Sequence, residues 1–435
     1  MTVSGWTERM PSTDLDRSLG ILCHITSLPN PHLGIDGAIR FLDVLDSIGA
    51  SVWQVLPIHP PDSHGSPYAS SSAFAGWSGF IDTNLDPVSQ DEIDEFLNKQ
   101  QSWIHDYATY RVLKERFNEA AWTDWPEACR NRSNINLNPN EASRFNAIIE
   151  EQVRFHRDWL RLREAAVIKG IRLYGDIPFF VSHDSADVWA APHRFGLDTD
   201  GKPTHVSGVP PDYFSNTGQR WGTPLYNWEA HRDEAFAWWM NRMIRMFELF
   251  DLVRIDHFRA FEAAWSIPVH HPTAEHGHWK DGPGDELLRK IIEICPSGII
   301  AEDLGIIPRS IHDMRERHSI PGMAVLQFSN DDPDNPHHPN NHREDTVVYT
   351  GTHDNNTTVG WGKVPVKSMI TTAMMSPARL CIIPIQDVLQ LGSEARMNTP
   401  GTTEGNWCWT FEWNDLDTDS VRWFKENASH LRPRN

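Results

Sequence analysis

The sequence predicts an α/β fold, namely a (β/α)8 TIM barrel with long helical and loop insertions after strands 2 and 3 and no C-terminal β-domain. Three observations predict it. Short apolar or β-branched runs recur along the 435 residues, amphipathic helical patterns separate many of them, and polar residues follow the runs. Apolar runs of this length are typical of strands buried on both faces, as in a parallel sheet. Strand–helix–strand repeats indicate βαβ units, and eight such strands indicate a closed barrel.

The eight predicted strands bring polar side chains to one mouth of the barrel, because the active site of this fold lies at the C-terminal ends of its strands. The strands are residues 20–26, 51–57, 171–177, 252–256, 298–303, 323–328, 346–350 and 379–384. The polar side chains at their ends are His24, Gln54, Asp176, Asp256, Glu302, Gln327, His353, Asp354 and Gln386.

Amphipathic helices are predicted between several of these strands. Residues 36–49 carry apolar side chains at helical spacing, and Asp36 can cap the start of this helix while Gly49 can end it. Similar patterns occupy residues 231–250 and 285–295.

Two connections are much longer than the others. Residues 58–170 contain a loop and several helical segments, and residues 178–251 contain a Pro/Gly/Asp-rich loop before the last helix. Loops of this length are usually functional. Residues 385–435 are predicted to be a short cap on the barrel. We therefore expect one catalytic domain over residues 1–435, with insertions at about 58–170 and 178–251.

Composition limits the possible partners and compartments. The net charge is -20, from 59 acidic and 39 basic residues, which disfavours nucleic acid and an anionic membrane surface as partners. The first twenty residues lack a signal-peptide pattern, and no apolar run is long enough to span a bilayer. The five cysteines are scattered, with no CxxC pair, which is typical of a reducing compartment. These features predict a cytoplasmic protein.

Histidine clusters raise the question of a metal site. They are His270, His271, His276 and His278, and His337, His338 and His342. Neither cluster has an HExxH arrangement or a cysteine partner, and both lie in loop-like sequence, so solvated loop histidines are predicted. No phosphate-binding glycine motif is present. The sequence therefore predicts neither a metal nor a nucleotide cofactor.

Three of the acids at the strand ends could cleave a glycosidic bond. Asp256, Glu302 and Asp354 follow strands 4, 5 and 7. Cleavage with retention needs one carboxylate as nucleophile and a second, protonated one as acid, about 5 Å apart. Arg254 would keep Asp256 ionised, and Glu302 would need a raised pKa. The alternative is that each acid only caps a helix or pairs with arginine.

The motifs around these acids resemble those of the amylomaltases, the 4-α-glucanotransferases of glycoside hydrolase family 77. They are RIDHFRAFEAAW (254–265), IIAEDLG (299–305), PGMAVLQF (321–328) and VVYTGTHDN (347–355). Further similar motifs are TSLP (26–29), WQVLP (53–57), SPYASSSAFAG (66–76), DSADVWA (184–190), GVPPDYFSNTGQRWG (208–222), PIQDVLQLGSEARMN (384–398) and PGTTEGNW (400–407). The resemblance extends, in order, from about residue 18 to residue 410.

The resemblance implies a role for each residue of the site. Asp256 would be the nucleophile, Glu302 the acid/base, and Asp354 a group that binds the reacting sugar and stabilises the transition state. The substrate-binding residues would be Arg254, His257, His353, Asp176, Trp221, Tyr68 and Asn398. Donor and acceptor would be maltooligosaccharides and other α-1,4-glucans, as in starch, glycogen or maltodextrin metabolism, and the loop 208–222 would cover the acceptor side.

The sequence also departs from the family pattern. Ser63 and His64 stand where members often carry Tyr-Gly, and Trp77 and Ser78 where they often carry Asn-Pro. Only residues 351–378 separate strands 7 and 8, where the family usually has a longer segment, and one short helix is expected there at 366–375. Two alternatives therefore stay open: an α-glucan hydrolase of the amylase type, and a glucan-binding protein with impaired catalysis.

Overall fold

Twelve strands and fourteen helices make up the part of the chain that the computed structural model describes, which is residues 17–29, 34–81, 87–211 and 215–434. The strands are β1 (Ser18–Leu22), β2 (Val52–Gln54), β3 (Arg172–Ile177), β4 (His205–Val209), β5 (Gln219–Pro224), β6 (Leu252–Ile255), β7 (Ala263–Pro268), β8 (His278–Asp281), β9 (Ile299–Ala301), β10 (Gly322–Val325), β11 (Thr346–Tyr349) and β12 (Leu380–Pro384). The helices are α1 (Gly34–Ser47), α2 (Gln90–Gln100), α3 (Ile104–Arg116), α4 (Glu127–Arg130), α5 (Pro139–Ile168), α6 (Ala186–Ala190), α7 (Trp228–Asp233), α8 (Ala237–Leu249), α9 (Gly284–Ile294), α10 (Arg309–Arg317), α11 (Thr358–Trp361), α12 (Val366–Met375), α13 (Ile385–Val388) and α14 (Asp419–Leu431).

Eight of the strands form one parallel sheet in the order β10-β11-β12-β1-β2-β3-β6-β9, and they coincide with the eight predicted ones. The two end strands meet without a regular ladder. There the N–H of Ala301 donates to the carbonyl of Pro321 at 2.8 Å. The Asp303 carboxylate also accepts from the N–H of Met323 at 2.7 Å. The predicted (β/α)8 barrel is confirmed.

Alternate side chains of the strands enter two separate cores, because successive residues of a strand point to opposite faces. Inside the barrel, Leu22, Tyr174 and Ile382 belong to one buried cluster, in which the hydroxyls of Tyr174 and Tyr349 are 3.3 Å apart. The other face of each strand packs against the surrounding helices in the larger cluster. Burial on both faces explains the continuous apolar runs.

The first insertion, residues 58–170, is mostly helical and supports one side of the barrel mouth. Its long helix α5 starts at an Asn138 capping box followed by Pro139. The Gln152 amide of α5 bonds both the N–H and the carbonyl of Gly76 at 2.9 Å. A Cβ on Gly76 would lie only 2.2 Å from Phe155, so this position requires glycine. The contact fixes the end of the loop that carries Tyr68.

The second insertion contains strands that the sequence did not predict. β4 and β5 pair with β7 and β8 in an antiparallel sheet of order β5-β4-β7-β8. The predicted helix 231–250 is wrong as one continuous element. It is divided into α7 and α8 because Ala235 and Phe236 adopt positive φ angles of 52° and 60°. This turn places Phe236 fully in the core.

The chain ends with helices on the outside of the barrel. α12 (Val366–Met375) is the one short helix expected between strands 7 and 8, and α14 packs against it. The buried Arg432 donates to the carbonyls of Met374, Ser376 and Ala378 at 2.8–2.9 Å. Among the described residues, no helix is long and apolar enough to cross a bilayer.

Candidate active site

A cleft of about 1830 Å³ opens at the C-terminal ends of the parallel strands. It contains every one of the predicted site residues except Asp176, which lies beneath its floor. The predicted residues in its lining are Tyr68, Trp221, Arg254, Asp256, His257, Glu302, His353, Asp354 and Asn398. The loop 208–222 contributes residues on both sides of positions 212–214, which lie outside the described residues.

Arg254 connects two carboxylates at the floor of the cleft. One terminal nitrogen donates to both oxygens of Asp176, at 2.9 and 2.7 Å, and the other donates to Asp256 Oδ1 at 2.7 Å. The side chains of Arg254 and Asp176 are buried, whereas 30% of the Asp256 side chain is exposed to the cleft. Tyr68 donates a hydrogen bond of 2.7 Å to Asp176. The network fixes Asp256 at one oxygen and leaves its other oxygen without a hydrogen bond to Arg254.

Glu302 faces the same cleft in a different electrostatic setting. Burial raises its pKa to about 7, and the nearby Asp256 carboxylate contributes to the rise. Its two oxygens accept hydrogen bonds from the backbone N–H groups of His257 and Leu304, at 2.7 and 2.8 Å. His257 adopts a left-handed backbone with φ 50° and ψ 50° directly after Asp256. A carboxyl group with this pKa can exist in both protonation states near neutral pH.

Asp354 is held by the segments that follow strands 7 and 8. Asn398 Nδ2 donates to Asp354 Oδ1 at 2.6 Å, and Arg396 donates to the backbone carbonyl of Asp354 at 2.6 Å. His353 Nε2 lies 3.4 Å from the same carboxylate oxygen. The Asp354 side chain is 45% exposed, so it can reach a ligand in the cleft.

The loop that carries Asp354 is anchored at both ends by one buried carboxylate, Asp387. Its oxygens accept hydrogen bonds from Thr350 Oγ1 at 2.6 Å and from the N–H and Oγ1 of Thr358, both at 2.7 Å. Sequence reasoning missed Asp387, although it lies in the motif PIQDVLQLGSEARMN.

Aromatic rings line the cleft on both sides of these acids. Tyr68 stacks on His353, with ring centroids 5.2 Å apart, and Trp407 lies 5.8 Å from Tyr68 and 5.9 Å from His353. Trp221 meets the ring of His257 edge-on at 4.7 Å. Trp407 was not predicted as a site residue, although the motif PGTTEGNW ends on it.

Histidines play several different structural roles. His257 Nε2 lies buried at the cleft with no hydrogen-bond partner in residues 17–434 that the structure describes. The prediction of solvated loop histidines is wrong for His342, which is buried between Ser376 and the carbonyl of His337. Across the described ranges, no group of three or more His, Cys, Asp or Glu side chains could hold a metal ion.

This arrangement can perform retaining cleavage of a glycosidic bond. It contains an arginine-bound carboxylate that suits a nucleophile, a buried carboxyl group with a pKa of about 7 that suits an acid/base, and a third, accessible carboxylate. The aromatic rings offer flat surfaces for the C–H faces of sugars.

Comparison with known proteins points to one family. The family model described as 4-alpha-glucanotransferase matches residues 23–89, 81–367 and 362–416. A 4-alpha-glucanotransferase of Thermus thermophilus is 39% identical over 479 aligned positions, which cover 91% of this chain and 95% of that protein. The chloroplastic/amyloplastic 4-alpha-glucanotransferase of Arabidopsis thaliana is 38% identical and covers 95% of this chain and 85% of that protein.

A solved structure agrees with these matches. The amylomaltase from Streptococcus agalactiae in complex with acarbose has a TM-score of 0.87 and 30% identity, covering 96% of this chain and all of that chain. The Thermus alignment has 479 positions and covers 91% of the 435 residues of this chain, which is about 396 residues. About 83 aligned positions therefore have no residue in this chain. The family match consists of three segments, and consecutive segments overlap at residues 81–89 and at 362–367.

Proposed function

The chain belongs to the 4-α-glucanotransferases of glycoside hydrolase family 77, and on that premise we propose that it transfers α-1,4-glucan segments between maltooligosaccharides through a covalent glucosyl-Asp256 intermediate. The observation that carries the proposal is the contrast between two acids in one cleft. Arg254 donates a hydrogen bond of 2.7 Å to Asp256 Oδ1, while burial raises the pKa of Glu302 to about 7.

In the first step, Asp256 attacks the anomeric carbon of the donor. The C–O bond to the leaving segment breaks, and protonated Glu302 transfers its proton to the departing oxygen, which becomes the 4-hydroxyl of the released chain. The positive charge that develops on the reacting sugar is stabilised by the Asp354 carboxylate. Its Oδ1 is held by Asn398, so its position is fixed before the substrate binds.

In the second step, the ionised Glu302 takes the proton of an acceptor 4-hydroxyl. The acceptor oxygen attacks the anomeric carbon, and the bond to Asp256 breaks. The new α-1,4 bond has the configuration of the old one, because two inversions have occurred. Asp256 is again a carboxylate, and Glu302 is again protonated for the next donor.

The remaining residues bind the sugar or position the catalytic groups. Asp176 is fully buried, and its oxygens accept from Arg254 and Tyr68, so we assign it a positioning role beneath the subsite. His257 lines the cleft, and we assign it a role in binding the sugar. Arg254, His353, Tyr68 and Asn398 surround the reacting sugar, and Trp221 lies beside His257 on the acceptor side.

Transfer instead of hydrolysis requires that water be poorly placed while a sugar occupies the acceptor site. The loops 58–80 and 208–222 both reach the cleft and can cover that site. We also propose that residues 1–435 act as one catalytic domain, with insertions at about 58–170 and 178–251, and that it works in the cytoplasm on maltooligosaccharides and other α-1,4-glucans.

Incubation with maltotriose alone, followed by chromatography of the products, tests this function. A transferase yields glucose together with a ladder of longer maltooligosaccharides, with no net gain of reducing ends. A gain of reducing ends without longer chains would identify an amylase-type hydrolase. Binding without any turnover would identify a glucan-binding protein, the alternative that the short segment 351–378 raises.

A further inference from the structure

The rim of the cleft next to Asp354 contains an aromatic side chain that the proposed mechanism does not use. Trp361 ends α11, the short helix that follows the Asp354 loop, and both Trp361 and Lys363 line the cleft. The Lys363 ammonium lies 5.0 Å from the centroid of the Trp361 ring. The nearby residues Val359 and Val364 are 40% and 37% exposed, so the segment around Trp361 is accessible to solvent.

The backbone below Trp361 is rigidly held. Thr357 caps α11 by accepting from the N–H of Gly360 at 3.0 Å, and Thr358 is bound to Asp387. A Cβ on Gly360 would lie 2.4 Å from Ser393 Oγ, so the turn packs closely against the 393–395 segment. A preorganised aromatic side chain loses little conformational freedom when a ligand binds to it.

The connection that follows Trp361 is short. Only the short helices α11 and α12 lie between β11 and β12. Two consecutive segments of the family match overlap at residues 362–367, directly after Trp361, so a boundary of the match falls here. Lys363 and Val364 are exposed at this place.

We propose that Trp361 and Lys363 form a remote subsite for the donor glucan, which binds a glucose unit several positions away from the bond that is cut. This inference rests on the proposed function. The C–H face of a glucose ring would lie on the indole, and the Lys363 ammonium would donate to a sugar hydroxyl. The short connection leaves the subsite uncovered, so the donor chain continues past it into solvent.

The donor side is the side consistent with the catalytic geometry. Glu302 protonates the leaving segment and later activates the acceptor, so both of these bind on its side of the reacting sugar. Trp221 and His257 lie on that side, since His257 bonds Glu302 through its backbone. Trp361 belongs instead to the segment that follows Asp354, the carboxylate that binds the reacting sugar in the proposed mechanism.

The test compares Trp361→Ala with the wild type over a series of donors from maltotriose to maltoheptaose, with saturating glucose as acceptor. We expect kcat/KM to fall about tenfold for the longest donors and by less than about twofold for maltotriose, the tenfold change being that of one buried aromatic contact. Lys363→Met should show a weaker change with the same length dependence. Trp413→Ala is the matched control, because Trp413 stacks on Arg40 outside the cleft.

Each outcome is decisive. An equal fall for all donors, or no fall for any, overturns the remote subsite. A length dependence that appears only when the same oligosaccharides serve as acceptors overturns its assignment to the donor side. Failure of the proposed function is distinguishable, because the wild type would then produce no ladder from maltotriose.

Calorimetric titration of maltoheptaose into Asp256→Asn, with and without Trp361→Ala, measures binding without turnover. Equal affinities would also overturn the proposal.

Discussion

Arg254 lies 2.7 Å from Asp256 Oδ1, and this contact fixes the position of the carboxylate before any substrate arrives. The same guanidinium bonds the buried Asp176, so the position of Asp256, the proposed nucleophile, is set by residues of two adjacent strands, β3 and β6.

Asp256→Asn should abolish transfer while leaving the fold intact. The amide keeps the shape of the side chain but cannot form the glycosyl ester, and loss of a covalent nucleophile costs about 10⁴- to 10⁶-fold in rate. The measurement is kcat for maltotriose, with circular dichroism and glucan binding as controls of folding. Substantial activity in this variant would show that another group attacks the sugar.

Glu302→Gln should separate the two chemical steps. A donor with a good leaving group needs little protonation, so its first step is partly retained, whereas the second step lacks its general base. The glucosyl enzyme should therefore accumulate, and mass spectrometry of a digest should locate the sugar on Asp256. A label on Asp354, or on residue 302 itself, would contradict the assigned roles.

The pH profile should report Glu302. In the free enzyme the acid must be protonated for the first step, and its pKa is about 7. Consequently kcat/KM for an unactivated donor should fall about tenfold per pH unit above that value. The Glu302→Gln variant with an activated donor should not show this fall in kcat/KM. An identical fall in the variant would mean that another group titrates.

Asp387→Ala should misplace the loop that carries Asp354. Three hydrogen bonds from Thr350 and Thr358 lose their acceptor, which should cost about 3 kcal/mol of unfolding free energy. Misplacement of a catalytic group by about 1 Å can cost roughly 10²-fold in kcat/KM. Arg432→Met is the control, because it disrupts a buried network remote from the cleft. It should lower stability without changing kcat/KM, and equal kinetic losses in both variants would refute the specific role of Asp387.

Acid should weaken the fold through His59. Burial, with Arg242 and Arg245 nearby, lowers its pKa to about 4, below the value of about 6.5 expected in the unfolded chain. Below pH 6.5 the folded state therefore binds fewer protons than the unfolded state. The contribution of neutral His59 to the free energy of unfolding is fully present above pH 6.5 and is lost as the pH falls towards 4. Urea unfolding at pH 7.5 and at pH 5 tests this. When the pH is lowered from 7.5 to 5, the free energy of unfolding of the wild type should fall by about 2 kcal/mol relative to that of His59→Asn.

The comparison with the variant is necessary because buried acids act in the opposite direction. Burial raises the pKa of Asp187 and that of Asp387, and such groups stabilise the fold as the pH falls. A difference between His59→Asn and wild type that does not change with pH would mean that His59 keeps an ordinary pKa.

The barrel could be predicted because its strands are buried on both faces, which leaves an unmistakable run such as residues 379–384. The antiparallel sheet could not, because all four residues of β8 are exposed and β5 contains the sequence QRWGTP, so neither shows a strand-like alternation. The turn at Ala235 and Phe236 was also hidden, since both residues continue the helical apolar pattern. Tertiary packing of Phe236 decides the break there.

The candidate acids were predicted from their places at strand ends and their roles from the family resemblance, but the contacts that produce their different chemistry were not visible in the sequence. The pKa of Glu302 depends on burial and on Asp256, which comes from another strand. The role of Asp387 depends on two threonines about thirty residues away in the chain. Contacts of this kind become visible only when the barrel closes.

The junction of β9 and β10 is held by few contacts. Besides the backbone hydrogen bond from Ala301 to Pro321, Asp303 bonds the N–H of Met323 and forms an ion pair of 3.2 Å with Arg315. If these contacts were lost, two edge strands would be exposed, each with unpaired N–H and C=O groups that can add a strand from a second molecule. Aggregation of partly opened molecules would then begin at β9 and β10, because every other neighbouring pair in the described barrel is joined by a regular parallel ladder.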